Sequence, residues 1–190
     1  DPEDHQWTWL ETLGRGDFKK LSIFSSRNSG FYEEESEAVA TDISRAVSNM
    51  SDSKTGALIV FEGKTPLGEI IETGSIVDAA PTSVIVENIF FPKSPLHDGA
   101  VIMRDNRVYA AGCILPLTTN EVSADLGTRH RAAIGISEHS DALIIVVSEE
   151  TGKVSIAKGG NLIFNVDGDF LRAKLMELQK GKEQETKTRK

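Results

Sequence analysis

Apolar and polar residues follow a helical period in several parts of this chain. Over residues 32–50 the apolar positions recur every three or four residues, and three glutamates fall in the first turn. This pattern is typical of an amphipathic helix. Further helices are predicted over 83–90, started by Pro81 and Thr82, over 128–139, and over a leucine-lined segment at 171–178.

Continuous apolar runs bounded by turn residues predict strands. The runs at 56–61 and 142–147 are the most apolar and are expected to be buried. Residues 100–115 are predicted to form a hairpin, and the second run is predicted to turn back into a strand at 154–157. A short strand is also expected at 69–72.

This mixture of helices and strands defines the expected fold class. We predict an α/β (α+β) fold, a single globular domain with a central mixed, largely antiparallel β-sheet flanked by helices. The pattern leaves the order of the strands open.

The two ends of the chain differ from its middle. Residues 1–31 are predicted to form a docking helix and a connector, and 32–180 the main domain. Residues 181–190 are charged and poor in apolar side chains, so we expect a disordered tail after a C-cap at Gly181.

Composition narrows the function. The chain has 190 residues, of which 39% are hydrophobic, enough for one sizeable core. Its net charge of -8 argues against a general surface for nucleic acid or anionic membrane. The single cysteine, Cys113, excludes a disulfide within the chain and a cysteine-rich zinc site, and it fits a reducing cytosol. No run reaches the roughly 18 apolar residues of a membrane span, and the Walker and dinucleotide-binding motifs are absent.

Positive charge is concentrated at the start of the helix predicted over 128–139. Thr128 is predicted to be its N-cap, which places Arg129, His130 and Arg131 in the first turn. That end of a helix is already positive, so each added cation should cost a few tenths of a kcal/mol, up to ~1. A bound phosphate would offset this cost, and arginine can hold it through two N–H groups. A solvated or salt-bridged basic turn is the alternative that the sequence leaves open.

Carboxylates adjoin two of the predicted strands. Asp98 precedes Gly99 at the entrance to a strand, where it could bind a divalent cation, accept a proton or serve as an ordinary turn residue. Residues 148–152 supply a hydroxyl and two carboxylates after the second buried strand, where ligand groups are common, although by itself the run is more typical of an ordinary hairpin turn. Together with the cationic helix start, these groups are typical of phosphoryl or nucleotidyl transfer.

The motifs at residues 98–100 (Asp-Gly-Ala) and 129–131 (Arg-His-Arg) resemble the signature of the diadenylate cyclases. The resemblance covers roughly residues 32–160. It includes 71–74, 88–90, 95–102, 126–133, 135–138 and 147–152. The segments 1–3 and 13–16 further resemble the membrane-anchored class, in which they follow a set of transmembrane helices. The departures, at Trp7, Trp9 and a slightly short loop at 118–125, lie outside the signature.

The resemblance implies an activity and its partners. Two ATP molecules would condense to cyclic di-AMP and two pyrophosphates, with each protomer of a face-to-face homodimer holding one ATP. No nucleic acid would take part. The implied protein has a cytoplasmic catalytic domain and a membrane anchor ahead of Asp1, in the bacterial cell membrane. The alternative is a catalytically silent sensor domain that binds ATP or a cyclic dinucleotide.

The resemblance also implies roles for individual residues. The catalytic set is Asp98, Arg129, His130 and Arg131. The expected ATP-binding residues are Gly99, Ala100, Leu115, Gly127, Thr128, Arg129, Arg131, Ser148 and Glu149. The expected metal is Mg²⁺ or Mn²⁺, with other divalent ions possible, and its candidate ligands are Asp98, Glu150 and His97.

Helix geometry separates the two arginines. At about 100° per residue, Arg129 and Arg131 point to nearly opposite sides of the helix. We therefore expect that one of them contacts phosphate while the other could brace the loop or the facing protomer.

Overall fold

The computed structural model describes residues 18–188, and the chain divides into two compact units between Glu37 and Ala38. The described part of the first unit, residues 18–37, is helical and belongs to α1 (Phe18–Asp52). The connector predicted before residue 32 is therefore helical from Phe18 onward, because no proline interrupts the backbone there. The docking helix predicted nearer the start lies mostly outside the described residues, and the domain limits remain predictions.

The second unit contains the sheet and the other helices. Its strands are β1 (Ala57–Phe61), β2 (Ser75–Ala79), β3 (Ala100–Arg104), β4 (Arg107–Cys113), β5 (Leu143–Val147), β6 (Val154–Lys158) and β7 (Asn161–Ile163). The helices that follow α1 are α2 (Gly68–Glu72), α3 (Ser83–Phe90), α4 (Thr128–His139) and α5 (Gly168–Thr188).

The described strands form one seven-stranded sheet in the order β2-β4-β3-β1-β5-β6-β7. β1 and β3 are parallel, whereas the other neighbouring pairs are antiparallel. The predicted fold class, a mixed and largely antiparallel sheet flanked by helices, is confirmed.

Helices cover both faces of the sheet. Alternate residues of a strand point to opposite faces, so Ile59 packs in one core with Ile43 of α1, while Leu58 packs in a second core with Ala133 of α4. α3 and α5 contribute to the first core and α2 to the second. Both faces of β1 and β5 are therefore buried, which explains their continuous apolar runs.

Local sequence patterns placed several elements correctly. α3 has the predicted bounds, and the Thr82 hydroxyl accepts a hydrogen bond from the Ile85 N–H at 3.3 Å, as expected of an N-cap. The predicted hairpin is β3–β4, which turns at Asp105 and Asn106 with φ values of 51° and 58°. Asn and Asp tolerate this left-handed backbone, which suits a two-residue hairpin turn.

The strand predicted at 69–72 is wrong. These residues lie in the short helix α2, and the strand of this region is β2. Only Ile71 of α2 is buried and its charged neighbours are exposed, so a single helical turn is enough to bury it.

The C-cap predicted at Gly181 is also wrong, because α5 continues to Thr188. A glycine inside a helix costs about 1 kcal/mol relative to alanine, and the good helix formers around it, such as Lys182 and Gln184, offset that cost. Among the helices described, none is both long and apolar enough to span a membrane.

Candidate active site

The first turn of α4 carries the predicted cluster of cations. The helix starts at Thr128, and its N-cap is Gly127, which is extended (φ -71°, ψ 173°) and forms no side-chain capping bond. The prediction of Thr128 as the N-cap is therefore off by one residue, because extended Gly127 already fills that position. Residues 129–131 lie in the first turn as predicted. Because Gly127 has no side chain that could cap this terminus, a ligand could accept hydrogen bonds from its N–H groups.

Arg129 reaches from α4 across the start of β1. A Cβ atom built on Gly56 would lie 2.5 Å from the Nη1 atom of Arg129, so the missing side chain makes room for the guanidinium. Nη1 donates a hydrogen bond to Glu149 at 3.0 Å. Nε is buried and has no hydrogen-bond partner among the described residues. A buried donor without a partner is costly, and a bound anion would satisfy it.

Arg131 turns the other way, as the helix geometry allowed. Its Nε donates to the backbone oxygen of Leu126 at 3.2 Å, and its own carbonyl accepts the Thr118 N–H at 3.1 Å. Arg131 therefore braces the loop that precedes α4.

His130 is partly buried beside Arg129. Burial, together with repulsion from the Arg129 charge, lowers the pKa of His130 below its ordinary value. The imidazole is therefore neutral at neutral pH and can donate one hydrogen bond and accept another.

A pocket of about 270 Å³ brings many of the predicted residues together. The predicted residues that line it are Gly127, Thr128, Arg129, His130, Ser148, Glu149 and Glu150. Ligand pockets usually span about 300–1,000 Å³, so this pocket fits only part of a nucleotide.

Sequence reasoning missed other residues of this pocket. They include Asp125, Lys153, Phe164 and Asn165. Lys153 lies in the turn that leads back to the strand predicted at 154–157, but that prediction gave it no role in binding. Phe164 and Asn165 follow β7, which no sequence pattern predicted.

The predicted residues around Asp98 do not line this pocket. Asp98 is exposed and lies just before β3. The parallel pairing of Ile59 with Val101 brings this approach to β3 beside the start of β1, where Arg129 lies. The two groups of residues therefore face the same edge of the sheet, on neighbouring strands.

The packing of the strands explains why glycine follows Asp98. Gly99 has a φ of +126°, and a Cβ atom there would lie 2.7 Å from the backbone carbon of Gly112. Glycine is therefore needed at position 99 for the close packing of β3 against β4, even without a bound ligand.

Three further predicted residues have contacts of their own. Ala100 is fully buried, and Leu115 packs in the second core with 7% of its surface exposed, next to the exposed Ile114. His97 Nδ1 lies 2.6 Å from the backbone oxygen of Ser94. In this structure, the side chains of Ala100 and Leu115 are therefore closed to a ligand.

The exposed carboxylates of this sheet edge are the candidates for metal binding. Within residues 18–188, no three His, Cys, Asp or Glu side chains lie close enough together to hold a metal ion. Asp98 and Glu150 are exposed carboxylates on one sheet edge. This fits Mg²⁺, which proteins bind through one or two carboxylates while substrate phosphates supply further ligands.

Comparison with known proteins places the chain in a family. Residues 44–162 match the DAC family model, described as the DisA bacterial checkpoint controller nucleotide-binding domain. The chain belongs to the DAC family. The matched segment contains Asp98, Arg129, Ser148 and Lys153 and ends before Phe164.

Relatives in the DAC family include enzymes from Bacillus subtilis (strain 168). Cyclic di-AMP synthase CdaA is 48% identical over 154 residues, which cover 80% of this chain and 54% of the relative. Cyclic di-AMP synthase CdaS is 46% identical over 153 residues, or 80% of this chain and 74% of the relative. The chain thus spans little more than half the length of CdaA.

A solved structure has the same fold. The crystal structure of DacA from Staphylococcus aureus, determined for a double mutant, matches with a TM-score of 0.74 and 41% identity. The match covers 76% of this chain and 97% of that chain. The DAC fold therefore extends across most of the described residues.

Proposed function

We propose that this protein is a diadenylate cyclase that converts two ATP molecules into cyclic di-AMP and two pyrophosphates. The proposal is supported by membership in the DAC family and by relatives that are named cyclic di-AMP synthases. The observation that carries it is the pocket at the start of α4. There the buried Nε of Arg129, which has no hydrogen-bond partner among residues 18–188, lies at a helix terminus whose N-cap is Gly127.

The proposed reaction forms two identical bonds. The 3′-hydroxyl oxygen of one ATP bonds to the α-phosphorus of the other, the hydroxyl proton leaves, and the bond from that phosphorus to the bridging oxygen breaks as pyrophosphate departs. The same exchange in the other direction closes the ring. A two-fold symmetric product is best assembled between two identical sites, so we propose a homodimer with one ATP in each protomer.

Several residues at the start of α4 and after β5 have proposed roles in holding ATP. The N–H groups at Thr128, the guanidinium of Arg129 and the Ser148 hydroxyl bind the triphosphate, and they stabilise the charge that develops on pyrophosphate. Neutral His130 donates a hydrogen bond to a phosphate oxygen. Arg131 positions the loop before α4 through Leu126.

Asp98 and Glu150 are the proposed ligands of a divalent ion, Mg²⁺ or Mn²⁺, with the phosphates of ATP completing its shell. When bound, such an ion neutralises phosphate charge and lowers the pKa of the attacking hydroxyl. His97 is a weaker candidate, because one of its ring nitrogens is already engaged by Ser94.

Product analysis tests the proposed activity. The protein is incubated with ATP and Mn²⁺ at several protein concentrations, and the products are identified by mass. We expect cyclic di-AMP, with a specific activity that rises with protein concentration because the active species is a dimer. Tight ATP binding without any cyclic dinucleotide would support the sensor alternative and refute the cyclase.

A pair of variants tests the metal ligand. Asp98→Asn should abolish turnover while ATP still binds, because the amide keeps the shape of the side chain and loses its charge. Asp105→Asn, at the other end of β3, is the matched control and should remain active. Full activity of Asp98→Asn would exclude the proposed role.

We also propose that the catalytic domain is cytoplasmic and that the full-length protein is anchored in the bacterial cell membrane ahead of Asp1. The resemblance of the first residues to the membrane-anchored class supports this. A Bacillus cereus chain described as a hypothetical membrane spanning protein also matches, at 50% identity and a TM-score of 0.65. Fractionation of the full-length protein tests it, and recovery outside the membrane fraction would contradict it.

A further inference from the structure

Lys153 lies in line with the phosphate-binding residues. The Ser148 N–H donates to the Lys153 carbonyl at 3.0 Å, so these two residues face each other across the β5–β6 turn. On the other side of β5, the pairing of Ala57 with Val147 places Gly56 opposite Ser148. Gly56, Ser148 and Lys153 therefore form a row across three strands at one edge of the sheet. We call this the edge row.

The Lys153 side chain of the edge row lies on the α4 side of the sheet. Side chains alternate along a strand, so Lys153 shares its face with Ser155 and Ala157. Ala157 packs in the same core as Ala133 of α4, so Lys153 points toward the side from which Arg129 enters. With strands about 4.8 Å apart, the Lys153 backbone lies about 10 Å from Gly56.

Asp98 and Lys153 lie on opposite sides of Arg129. The approach to β3, with Asp98, lies on one side of β1, and β5 and β6 lie on the other. The Arg129 guanidinium rests on Gly56 at the start of β1. A triphosphate whose α-phosphate is near Asp98 and that passes Arg129 therefore extends toward Ser148 and Lys153.

The cations of the pocket differ in their availability. Arg129 is already hydrogen-bonded to Glu149. The pKa of His130 is lowered by burial and by Arg129, so this ring adds no charge at neutral pH. Lys153 is exposed, lines the pocket and forms no ion pair within the part of the chain that the structure describes. It is thus a cation available to a highly charged ligand.

We propose that Lys153 binds the terminal phosphates of ATP and stabilises the pyrophosphate as it leaves. This rests on the proposed cyclase function and adds a residue that no sequence motif indicated. The ammonium group acts as a point charge on the β- and γ-phosphates, beyond the reach of a nucleoside monophosphate. Lys153 thereby contributes to the preference for a triphosphate.

Binding measurements on the full chain test this role. Lys153→Gln is compared with the wild type, with Lys153→Arg and with Lys158→Gln. Lys158 is an exposed lysine at the other end of β6, so its substitution changes the net charge equally at a distance from the edge row. Calorimetry at fixed ionic strength gives dissociation constants for inorganic pyrophosphate, ATP and AMP, and steady-state kinetics gives KM and kcat.

The expected pattern is specific to phosphate contact. Lys153→Gln should weaken pyrophosphate and ATP binding about tenfold, as expected for one lost charge-assisted contact, and leave AMP binding unchanged. KM should rise by a similar factor while kcat changes less, and Lys153→Arg should restore binding. Lys158→Gln should bind all three ligands as the wild type does.

Two outcomes would overturn the assignment. One is unchanged binding of pyrophosphate and ATP by Lys153→Gln, and the other is an equal loss of affinity in Lys158→Gln, which would indicate a general charge effect. If the wild type makes no cyclic dinucleotide, the cyclase proposal fails, while pyrophosphate binding still tests Lys153.

Discussion

At the scale of single residues, the contact between Arg129 and Glu149 changes the role expected of the glutamate. The resemblance implied that Glu149 binds ATP, but a carboxylate repels phosphate. In the structure, Glu149 accepts a hydrogen bond from Arg129, the residue proposed to bind phosphate. Glu149 is 66% exposed, whereas Arg129 is 20% exposed. We therefore propose that Glu149 affects ATP binding through Arg129, as a competitor for its guanidinium.

Removing the charge of Glu149 tests this competition. An exposed ion pair contributes about 0.2–1 kcal/mol, so Glu149→Gln should lower the KM for ATP by up to about fivefold. Glu69→Gln, an exposed glutamate on α2, is the control. Steady-state kinetics measures both variants, and a higher KM in Glu149→Gln would show that the carboxylate assists binding directly.

His130 gives the site a pH dependence. Its folded-state pKa is lowered by burial and by Arg129, so the unfolded chain takes up a proton near pH 6.5 that the folded protein does not. The free energy of unfolding should therefore fall as the pH drops below about 6.5, with no such contribution above it. Phosphate favours the charged ring, so ATP binding should be accompanied by proton uptake below about pH 6.5.

Calorimetry in buffers of different ionisation enthalpy measures this uptake. Because the terminal phosphate of ATP titrates in the same range, the informative quantity is the difference between the wild type and His130→Gln. Equal proton uptake by both proteins would show that ATP binding does not protonate His130.

At the scale of elements, close approaches between α4 and its neighbours hold the site together. Gly56 makes room for the guanidinium of Arg129, whereas Gly135 lies against the carbonyl oxygen of Pro116, in the segment after β4. The first neighbour is the end of a flexible side chain and the second is backbone. The same substitution should therefore have different effects at the two positions.

Alanine substitutions at Gly56 and Gly135 should affect ATP binding and thermal stability separately. Gly56→Ala should displace Arg129 and weaken ATP binding at least about tenfold, the effect of losing a charged hydrogen bond, with little change in Tm. Gly135→Ala should lower Tm markedly, because backbone cannot yield. Thermal unfolding and calorimetry compare them, and normal ATP affinity in Gly56→Ala would mean that Arg129 has room to remain in place.

Local patterns predicted elements better than they predicted the site. Thr82 and the apolar run of β5 each encode a local preference, and both predictions are confirmed. The residues of α2 are too few for a period to be recognised. The place of Lys153 depends on which face of β6 is covered by α4, and no residue near Lys153 in the sequence encodes that.

At the scale of the whole molecule, each end of β1 borders a pocket of its own. The edge row lies at one end of β1, and at the other end Glu62 holds Arg104 with bonds of 2.7 and 2.9 Å. That opposite edge borders a groove of about 940 Å³ whose lining mixes acidic and basic side chains, Asp141 and Lys182 among them. The pocket beside the edge row also mixes charges, because Arg129 and Lys153 lie close to Asp125, Glu149 and Glu150.

If the active species is a dimer, one inactive subunit should inactivate its wild-type partner. Both bonds of the product need a competent site in each protomer, so a dimer of wild type with Asp98→Asn should be inactive. After equal amounts are mixed and re-equilibrated, activity per wild-type subunit should fall to about half, from random pairing of two identical surfaces. Product formation measures this, with Asp105→Asn as the control, and undiminished activity would argue for independent protomers.

The strand order was beyond sequence reasoning for a physical reason. β1 pairs with β3 and β5, which come from distant parts of the chain. Pairing at such separation depends on the packing of the whole domain. The family resemblance named the residues of the two motifs but could not show that Arg129 lies over Gly56.

The position of β1 between β3 and β5 also governs when the site can exist during synthesis. The segment with Asp98 leaves the ribosome well before Ser148 and Lys153, and the support for Arg129 is complete only when β5 has paired with β1. A nascent chain that stops at the end of α4 would therefore contain both signature motifs but would not yet bind a triphosphate. ATP binding would begin only after the β5–β6 turn has left the ribosome, so incomplete chains would not bind ATP in the cell.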